Sequence, residues 1–244
     1  MERKGLIIGH LFPDLLNLYG DKGNILSLQN RLLWRGYEAE IVCIEENDTI
    51  DFARFDIVYL GGGSDRAELL VLEKLRPYRD ALHRYTEAGG VLLATCGGYE
   101  MLGTSLMLCG QSTEGLSLLD VRTEAGPNRL IGNVVAETVL DGSALDIVGF
   151  ENHSGRTFLG DCKGFAKIVS GFGNNGEDGT CGAVYRNVLG THLHGPLLPK
   201  NPALTDYLLQ RALLRKYGEA ELLPLDDKAE QEAHDYACKR FGKE

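Results

Sequence analysis

Cys96 is the residue of this sequence whose surroundings best suit covalent chemistry. It follows the apolar run 91–95, which predicts a short buried strand, and it precedes Gly97, Gly98 and a stretch that predicts an amphipathic helix. A strand that delivers a nucleophile into a tight turn before a helix has the layout of a nucleophile elbow. The helix N-terminus would favour the thiolate and lower its pKa from about 8.5. The competing interpretation is a buried core cysteine followed by an ordinary glycine turn.

Glycines on two sides of Cys96 predict a site for a negatively charged oxygen. The N–H of Gly97 would point at the oxyanion that forms when a thiolate attacks a carbonyl carbon, and one such donor contributes about 10² to 10³ in rate. A second donor would come from the glycine loop (residues 61–63), which follows a neighbouring predicted strand and has Gly62 at its centre.

A cysteine nucleophile needs a base, and the sequence contains six histidines. His192 and His194 end a late predicted strand, and His194 stands before Gly195 and Pro196, where the active-site loops of open α/β sheets lie. His153 competes with them, and each histidine taken alone is more often a hydrogen-bonded structural residue. The His-x-His pair lacks a third ligand at a suitable spacing, so we expect no metal site.

The elements that must position these residues alternate, over the first hundred positions, between short apolar runs and longer amphipathic stretches. This alternation predicts an α/β fold with an open, mostly parallel sheet flanked by helices. Shorter, glycine-rich strands follow in the second half, and we expect them to be antiparallel and to extend the same sheet. The predicted strands are 5–11, 39–44, 56–60, 91–95, 117–123, 132–140, 147–150, 166–170 and 183–191, and the predicted helices are 23–34, 65–74, 78–88 and 205–217.

Length and composition favour one domain with a small appendage. The 244 residues are 43% hydrophobic, which is sufficient for one substantial core. We expect residues 1–218 to form that domain, and the acidic C-terminal tail, residues 219–244, to be helical and packed on it.

The charge balance and the cysteines limit the function classes. The 35 acidic residues outnumber the 25 basic ones and give a formal charge of -10, which disfavours a nucleic-acid partner. The six cysteines have neither C-x-x-C nor zinc-ribbon spacing, so we interpret them as reduced thiols of a cytoplasmic protein. No apolar run reaches the roughly 18 residues of a membrane span, so no insertion into a membrane is expected.

Several ordered motifs resemble one family. The run CGGYEMLG at positions 96–103, with a late histidine before Gly195 and Pro196, resembles the class I glutamine amidotransferases of the cobyric acid synthase type. Within that family the chain is similar to the glutaminase subunits of lipid II isoglutaminyl synthases. The segments that carry this closer likeness are NLYGDKGN (17–24), GGGSDR (61–66), NRL (128–130), GFENH (149–153) and LHGP (193–196).

The resemblance implies a fold, a reaction and roles for individual residues. It implies a flavodoxin-like class I amidotransferase domain that hydrolyses L-glutamine to glutamate and ammonia. Cys96 would be the nucleophile, His194 the general base, and Arg129 a ligand of the substrate glutamine. The last role has independent physical sense, because a guanidinium group matches a carboxylate in a bidentate pair.

The resemblance also implies a partner. The sequence has no G-x-x-x-x-G-K-[ST] motif, so this subunit is expected to carry no cofactor, and ATP would bind to a Mur-ligase-like subunit in a heterodimer. That subunit would use the ammonia to amidate the α-carboxyl group of D-glutamate in the lipid II stem peptide. Alternatives are a glutaminase that serves another synthetase with a cobyric-acid-like substrate, and an inactive amidotransferase-like binding scaffold.

Two positions depart from the family pattern. Many relatives have glycine two positions before the nucleophile, where Ala94 stands here. Many class I amidotransferases also place an acidic residue two positions after the histidine to orient it, and that position is Pro196 here. We therefore expect the partner subunit to supply the carboxylate or backbone acceptor that orients His194.

Overall fold

The computed structural model describes residues 4–242, and its first sheet is the open, mostly parallel sheet that the sequence predicts. Its strands are β1 (Gly5–Leu11), β2 (Glu38–Ile44), β3 (Ile57–Leu60), β4 (Val91–Thr95), β11 (Ala183–Tyr185) and β12 (Val188–Thr191). They lie in the order β11-β12-β4-β3-β1-β2, and only the β11–β12 pair is antiparallel.

Helices cover both faces of this sheet. The helices are α1 (Lys22–Leu33), α2 (Asp65–Leu75), α3 (Arg79–Glu87), α4 (Gly97–Met101), α5 (Pro202–Tyr217) and α6 (Lys228–Phe241). Because side chains alternate along a strand, Ile57 and Tyr59 of β3 join the core under α1 and α5, whereas Val58 and Leu60 join the core under α2 and α3. This two-sided burial explains why β3 and β4 read as continuous apolar runs.

Residues 183–191 extend the first sheet as predicted, but the other strands of the second half form a second sheet, so the prediction that they extend the first one is wrong for them. The second sheet contains β5 (Ser105–Leu108), β6 (Gln111–Glu114), β7 (Val121–Leu140), β8 (Ser143–Leu159), β9 (Ala166–Ser170) and β10 (Thr180–Cys181). Its order is β10-β9-β7-β5-β6, and β8 pairs with β7. The physical reason is the length of β7 and β8, which pair with each other over most of their 20 and 17 residues.

Tight turns explain the strand boundaries that the sequence did not reveal. Asp141 and Gly142 have φ of 50° and 81°, as a two-residue hairpin turn requires, and they join β7 to β8. Arg186, with φ of 52°, divides the predicted strand 183–191 into β11 and β12. The predicted strands 117–123 and 132–140 contribute to the single strand β7, which is interrupted by a β-bulge at residues 126–129. The hairpin of β5 and β6 was not predicted.

The predicted strand 147–150 is too short, because it lies inside β8. The remaining predicted elements agree with the structure within three residues, and β1, β4 and β9 have the predicted bounds. A buried arginine connects the tail to the rest of the fold. Arg31 of α1 donates at 2.6 to 2.7 Å to the carboxylate of Asp206 in α5 and to that of Asp227, which directly precedes α6. The proposed division at residue 218 stays a prediction, and residues 1–3 and 243–244 of its two ranges lie outside the described part. No helix in residues 4–242 is long and apolar enough to cross a membrane.

Candidate active site

Cys96 lies at a strained turn between β4 and α4. Its φ of 54° and ψ of −124° fall in a region that side chains with a Cβ rarely adopt, at a cost of about 1 to 3 kcal/mol. The Cys96 N–H donates to the carbonyl of Thr191 at 2.9 Å, and the Cys96 carbonyl accepts from the N–H of Tyr99 at 3.0 Å. The fold therefore holds the conformation that the elbow motif predicts.

The two glycines after Cys96 are required by close approach. A side chain on Gly97 would collide with the carboxyl group of Glu68, and one on Gly98 would collide with the carbonyl groups of Leu60 and Gly61. α4 can therefore start directly against the end of β3. The Gly97 backbone N–H lies beside the Cys96 thiol and acts to lower its pKa, as a donor in an oxyanion hole would need.

Cys96 opens into a cavity of about 280 Å³. The cavity lies between the first sheet and the bulge of β7, and charged residues of both signs surround it. Its lining residues are Gly63, Asp65, Glu68, Cys96, Gly97, Glu100, Met107, Gly110, Ala125, Gly126, Arg129, Asn152, His153, Ser154 and Gly155. Within residues 4–242, no cluster of three or more His, Cys, Asp or Glu side chains could hold a metal ion.

The glycine loop forms the wall opposite the elbow. A Cβ on Gly62 would lie 2.8 Å from Cys96 Cβ and 3.3 Å from Cys96 Sγ, so the absence of a side chain there makes room for the nucleophile. The Gly62 N–H donates to Asp21 Oδ2 at 3.3 Å, and the Gly63 N–H donates to Glu68 Oε1 at 3.0 Å. The assignment of Gly62 to the oxyanion hole stays a prediction.

The sequence reasoning missed two glutamates beside Cys96, of which Glu68 is buried and Glu100 is 12% exposed. Burial raises the pKa of Glu68 to about 7, against the hydrogen bond from Gly63. Burial and the negative charge of Glu68 raise the pKa of Glu100 to about 8. Glu100 could have been found, because a residue four positions after the nucleophile lies on the same side of a helix.

Burial, with a smaller contribution from these glutamates, overturns the expectation of a low pKa for Cys96. Burial raises the pKa of the thiol, and the charges of Glu68 and Glu100 raise it further, whereas the Gly97 N–H opposes them. The helix dipole is small here because α4 has only 5 residues. Near pH 7 Cys96 is therefore a thiol, which a base must deprotonate.

His194 follows the end of β12 and is buried. The backbone N–H of His194 donates to the Phe150 carbonyl at 2.9 Å, and the imidazole ring packs edge-on against the Phe150 ring. Burial and the positive charges of Lys200 and Arg129 lower the pKa of His194 to about 4. The imidazole is thus neutral near pH 7 and could accept a proton.

The two competing histidines are stacked on each other, with ring centroids 3.8 Å apart. His192 Nε2 is 2.8 Å from Thr157 Oγ1, and His192 Nδ1 is 3.8 Å from Glu100 Oε1. His153 lines the cavity, with Nδ1 2.8 Å from the Gly155 carbonyl. Burial lowers the pKa of His192 well below its ordinary value, so His192 packs as a neutral ring.

Arg129 lies in the bulge of β7 at the mouth of the cavity. Its Nε donates to Asn152 Oδ1 at 2.8 Å, and an Nη donates to the Asn152 carbonyl at 2.7 Å. The neighbouring Arg156 holds the bulge through the carbonyl and side chain of Asn128. The structure therefore brings Arg129 and Cys96 to one cavity, although its role as a glutamine ligand stays a prediction.

Residues 7–202 match the CobB/CobQ-like glutamine amidotransferase domain. The chain belongs to this family. It is 43% identical to the lipid II isoglutaminyl synthase (glutamine-hydrolyzing) subunit GatD of Staphylococcus aureus, over 93% of both chains. It is 36% identical to the protein of that name from Streptococcus pneumoniae, over 90% of this chain and 85% of that one. PurLQS from Thermotoga maritima shares the fold, with a TM-score of 0.56, 16% identity and coverage of 86% of this chain and 98% of that one.

Family membership makes the chain a glutamine amidotransferase and confirms the fold class and the resemblance that the motifs predicted. The geometry of this amidotransferase agrees with thiol chemistry on an amide carbon. It combines a strained cysteine, a backbone N–H beside the sulfur and a neutral histidine after the neighbouring strand. The roles of Cys96, His194, Arg129, Gly97 and Gly62 remain predictions.

A methyl group on Gly62 is expected to slow the reaction. In Gly62→Ala the new Cβ must displace Cys96 or the glycine loop, because it would lie 2.8 Å from Cys96 Cβ. A displacement of this size costs about 10² in rate, so kcat for glutamine hydrolysis should fall by about that factor. The matched control is Gly132→Ala on β7, where nothing lies within 4 Å of the added Cβ. Equal kcat values for the two variants would contradict the assigned contact.

Glu68→Gln is expected to change how stability depends on pH. The folded chain holds a proton on Glu68 up to about pH 7, against 4.5 for the free side chain, so ionisation destabilises the fold as pH rises between these values. The variant should be about 1 to 3 kcal/mol more stable than the wild type at pH 8, and the difference should shrink towards zero near pH 5. Urea unfolding at both pH values measures it.

Glu137→Gln is the matched control, because Glu137 is exposed on β7. Its unfolding free energy should differ from the wild type by the same small amount at pH 5 and pH 8. A Glu68→Gln difference that is equally independent of pH would contradict the buried, protonated state of Glu68.

Proposed function

We propose that the chain is the glutaminase subunit of a lipid II isoglutaminyl synthase. The observation that carries this proposal is the 43% identity to the GatD subunit of Staphylococcus aureus over 93% of both chains. The elbow geometry of Cys96 supports it, because an inactive scaffold would have no need of a strained turn. In this role the chain would work in the cytoplasm, supply ammonia for peptidoglycan synthesis and thereby contribute to cell wall formation and cell shape.

The first half of the proposed reaction forms a thioester. Arg129 holds the α-carboxylate of L-glutamine, and His194 takes the thiol proton as Cys96 Sγ attacks the side-chain amide carbon. The carbonyl oxygen becomes an oxyanion beside the Gly97 N–H. The tetrahedral state collapses, the C–N bond breaks, and the proton on His194 passes to the leaving ammonia, which leaves a γ-glutamyl thioester on Cys96.

The second half restores the enzyme. His194 takes a proton from water, and the resulting hydroxide attacks the thioester carbon. The C–S bond breaks, glutamate is released, and the proton returns to Cys96. The ammonia would pass to the Mur-ligase-like partner, which binds ATP, activates the α-carboxyl of D-glutamate in lipid II and forms the amide. No cofactor is proposed for this subunit.

The position of Pro196 supports a role for the partner in catalysis. Pro196 packs against Gly23 and occupies the place of the acid that orients the histidine in many class I amidotransferases. We propose that the partner supplies the missing carboxylate or backbone acceptor to His194. A second candidate function is ammonia supply to another amidating synthetase with a cobyric-acid-like substrate, which the family match itself favours.

Ammonia release should depend on the partner. The isolated subunit is expected to hydrolyse glutamine slowly, and addition of the Mur-ligase-like subunit should raise kcat by about 10² or more, since orientation of a general base is worth about 10² to 10⁴. Coupled detection of glutamate measures both rates, and Cys96→Ala in the complex gives the background. Equal rates with and without the partner would refute the coupling, and activity of the Cys96→Ala variant at the wild-type level would refute the nucleophile.

A further inference from the structure

The motif at residues 17–24 has no role in the reaction described so far, yet its Asp21 lies at the centre of the site. Asp21 is 1% exposed, and its carboxylate is surrounded by donors. Asp21 Oδ1 accepts from the hydroxyl of Tyr59 at 2.8 Å and from that of Thr95 at 3.3 Å. Asp21 Oδ2 accepts from the N–H of Gly62 at 3.3 Å.

The donors to Asp21 belong to both walls of the reaction centre. Thr95 is the last residue of β4 and immediately precedes Cys96. Gly62 is the residue whose open Cα face lies against Cys96. Gly61 also packs closely against the carboxylate, because a Cβ on Gly61 would lie 2.8 Å from Asp21 Oδ2. One buried side chain thus sets the distance between the elbow and the glycine loop.

The same segment also contacts the loop that carries His194. Gly23 packs against Pro196, two residues after that histidine. Asn24 donates to the hydroxyl of Tyr59 at 2.9 Å and accepts from the N–H of Leu198 at 2.8 Å. A chain of hydrogen bonds therefore runs from Leu198 through Asn24 and Tyr59 to Asp21, whose other donors include Thr95, the residue before Cys96.

The burial of the Asp21 carboxylate costs free energy of folding, which argues for a functional role of this residue. A buried carboxylate without donors would cost several kcal/mol, and here burial raises the pKa of Asp21 to about 6, although the hydrogen bonds from Tyr59, Gly62 and Thr95 lower it. Two of the three described donors to the carboxylate, Gly62 and Thr95, adjoin Cys96. A purely structural anchor for the segment would not need to engage the glycine loop.

We propose that Asp21 is a positioning residue for glutamine hydrolysis, which holds the glycine loop and the Cys96 elbow at the spacing that the oxyanion requires. It acts through Gly62 and Thr95 and does not touch the substrate. The inference rests on the proposed hydrolysis of glutamine through Cys96. Its chemical basis is that oxyanion donors are effective only within a few tenths of an ångström of the productive geometry.

Asp21→Ala removes all three acceptor contacts. In the complex with the Mur-ligase-like partner, kcat for glutamine should fall by about 10², whereas KM should stay within about threefold, because the effect falls on the transition state. Asp21→Asn should recover about tenfold of this loss, since an amide oxygen can still accept the Gly62 N–H. Tyr59→Phe should lower kcat by about threefold to tenfold, because Asp21 keeps two of its donors.

Alkylation of Cys96 by iodoacetamide separates positioning from general damage. This reaction forms no oxyanion, so it does not need the glycine loop. The negative charge of Asp21 is one of those that raise the pKa of Cys96, so its removal should leave the alkylation rate unchanged or faster. The expected signature of Asp21→Ala is thus a large fall in kcat without a fall in alkylation rate.

Asp56→Ala is the matched control. Asp56 is also a buried aspartate whose carboxylate accepts a backbone N–H, that of Ile7 at 2.7 Å, and it pairs with Lys216 at 2.7 Å far from Cys96. Its loss should lower the melting temperature without changing kcat. This control measures what the removal of a buried carboxylate does by itself.

The inference is overturned if Asp21→Ala keeps kcat within twofold of Asp56→Ala while the wild type is active. It is also overturned if kcat and alkylation rate fall together in both Asp21 variants, because Asp21 would then serve folding only. A wild-type complex that hydrolyses no glutamine would overturn the proposed function, and the inference with it.

Discussion

The hydrogen bond from the Cys96 N–H to the Thr191 carbonyl is the contact on which the rest of the site depends. It lies where the pairing of β4 and β12 ends, next to the Thr95–Thr191 pair. Because both strands are parallel and central, they bring Cys96 and the loop that contains His194 to the same edge of the sheet. The same bond fixes the backbone of Cys96 in a strained conformation that only a rigid core can maintain.

The electrostatics of the site disfavour the reactive thiolate form of Cys96. Desolvation, together with the nearby Glu68 and Glu100, raises the pKa of the Cys96 thiol and keeps it protonated, which slows its oxidation and alkylation. His194 is neutral near pH 7 and could accept a proton, and the two pKa shifts make proton transfer from Cys96 to His194 uphill. A subunit built in this way would release little ammonia on its own, which suits an ammonia donor that works for a partner.

Much of this could be read from the sequence, because its signals are local. The apolar run 91–95 with the following glycines predicted both β4 and the strained turn, and the bounds of β1 and β9 were predicted without error. Pairings between distant strands were not predictable. Nothing in the local sequence shows that the strand over residues 132–140 continues through a bulge from residue 121, or that β8 pairs with β7 in a second sheet. The pKa of Cys96 was mispredicted for the same reason. The local sequence shows that a helix follows Cys96, but it does not show that the fold desolvates the thiol and places Glu68 beside it.

Reaction of the complex with 6-diazo-5-oxo-norleucine, a glutamine analogue with an electrophilic carbon in place of the amide, tests the nucleophile most directly. Peptide mapping by mass spectrometry should find the label on Cys96, and none of the other five cysteines should carry it. Excess L-glutamine should slow the labelling, because both molecules compete for the cavity beside Arg129. An unlabelled Cys96, or a label on another residue that glutamine protects, would contradict glutamine hydrolysis through this thiol.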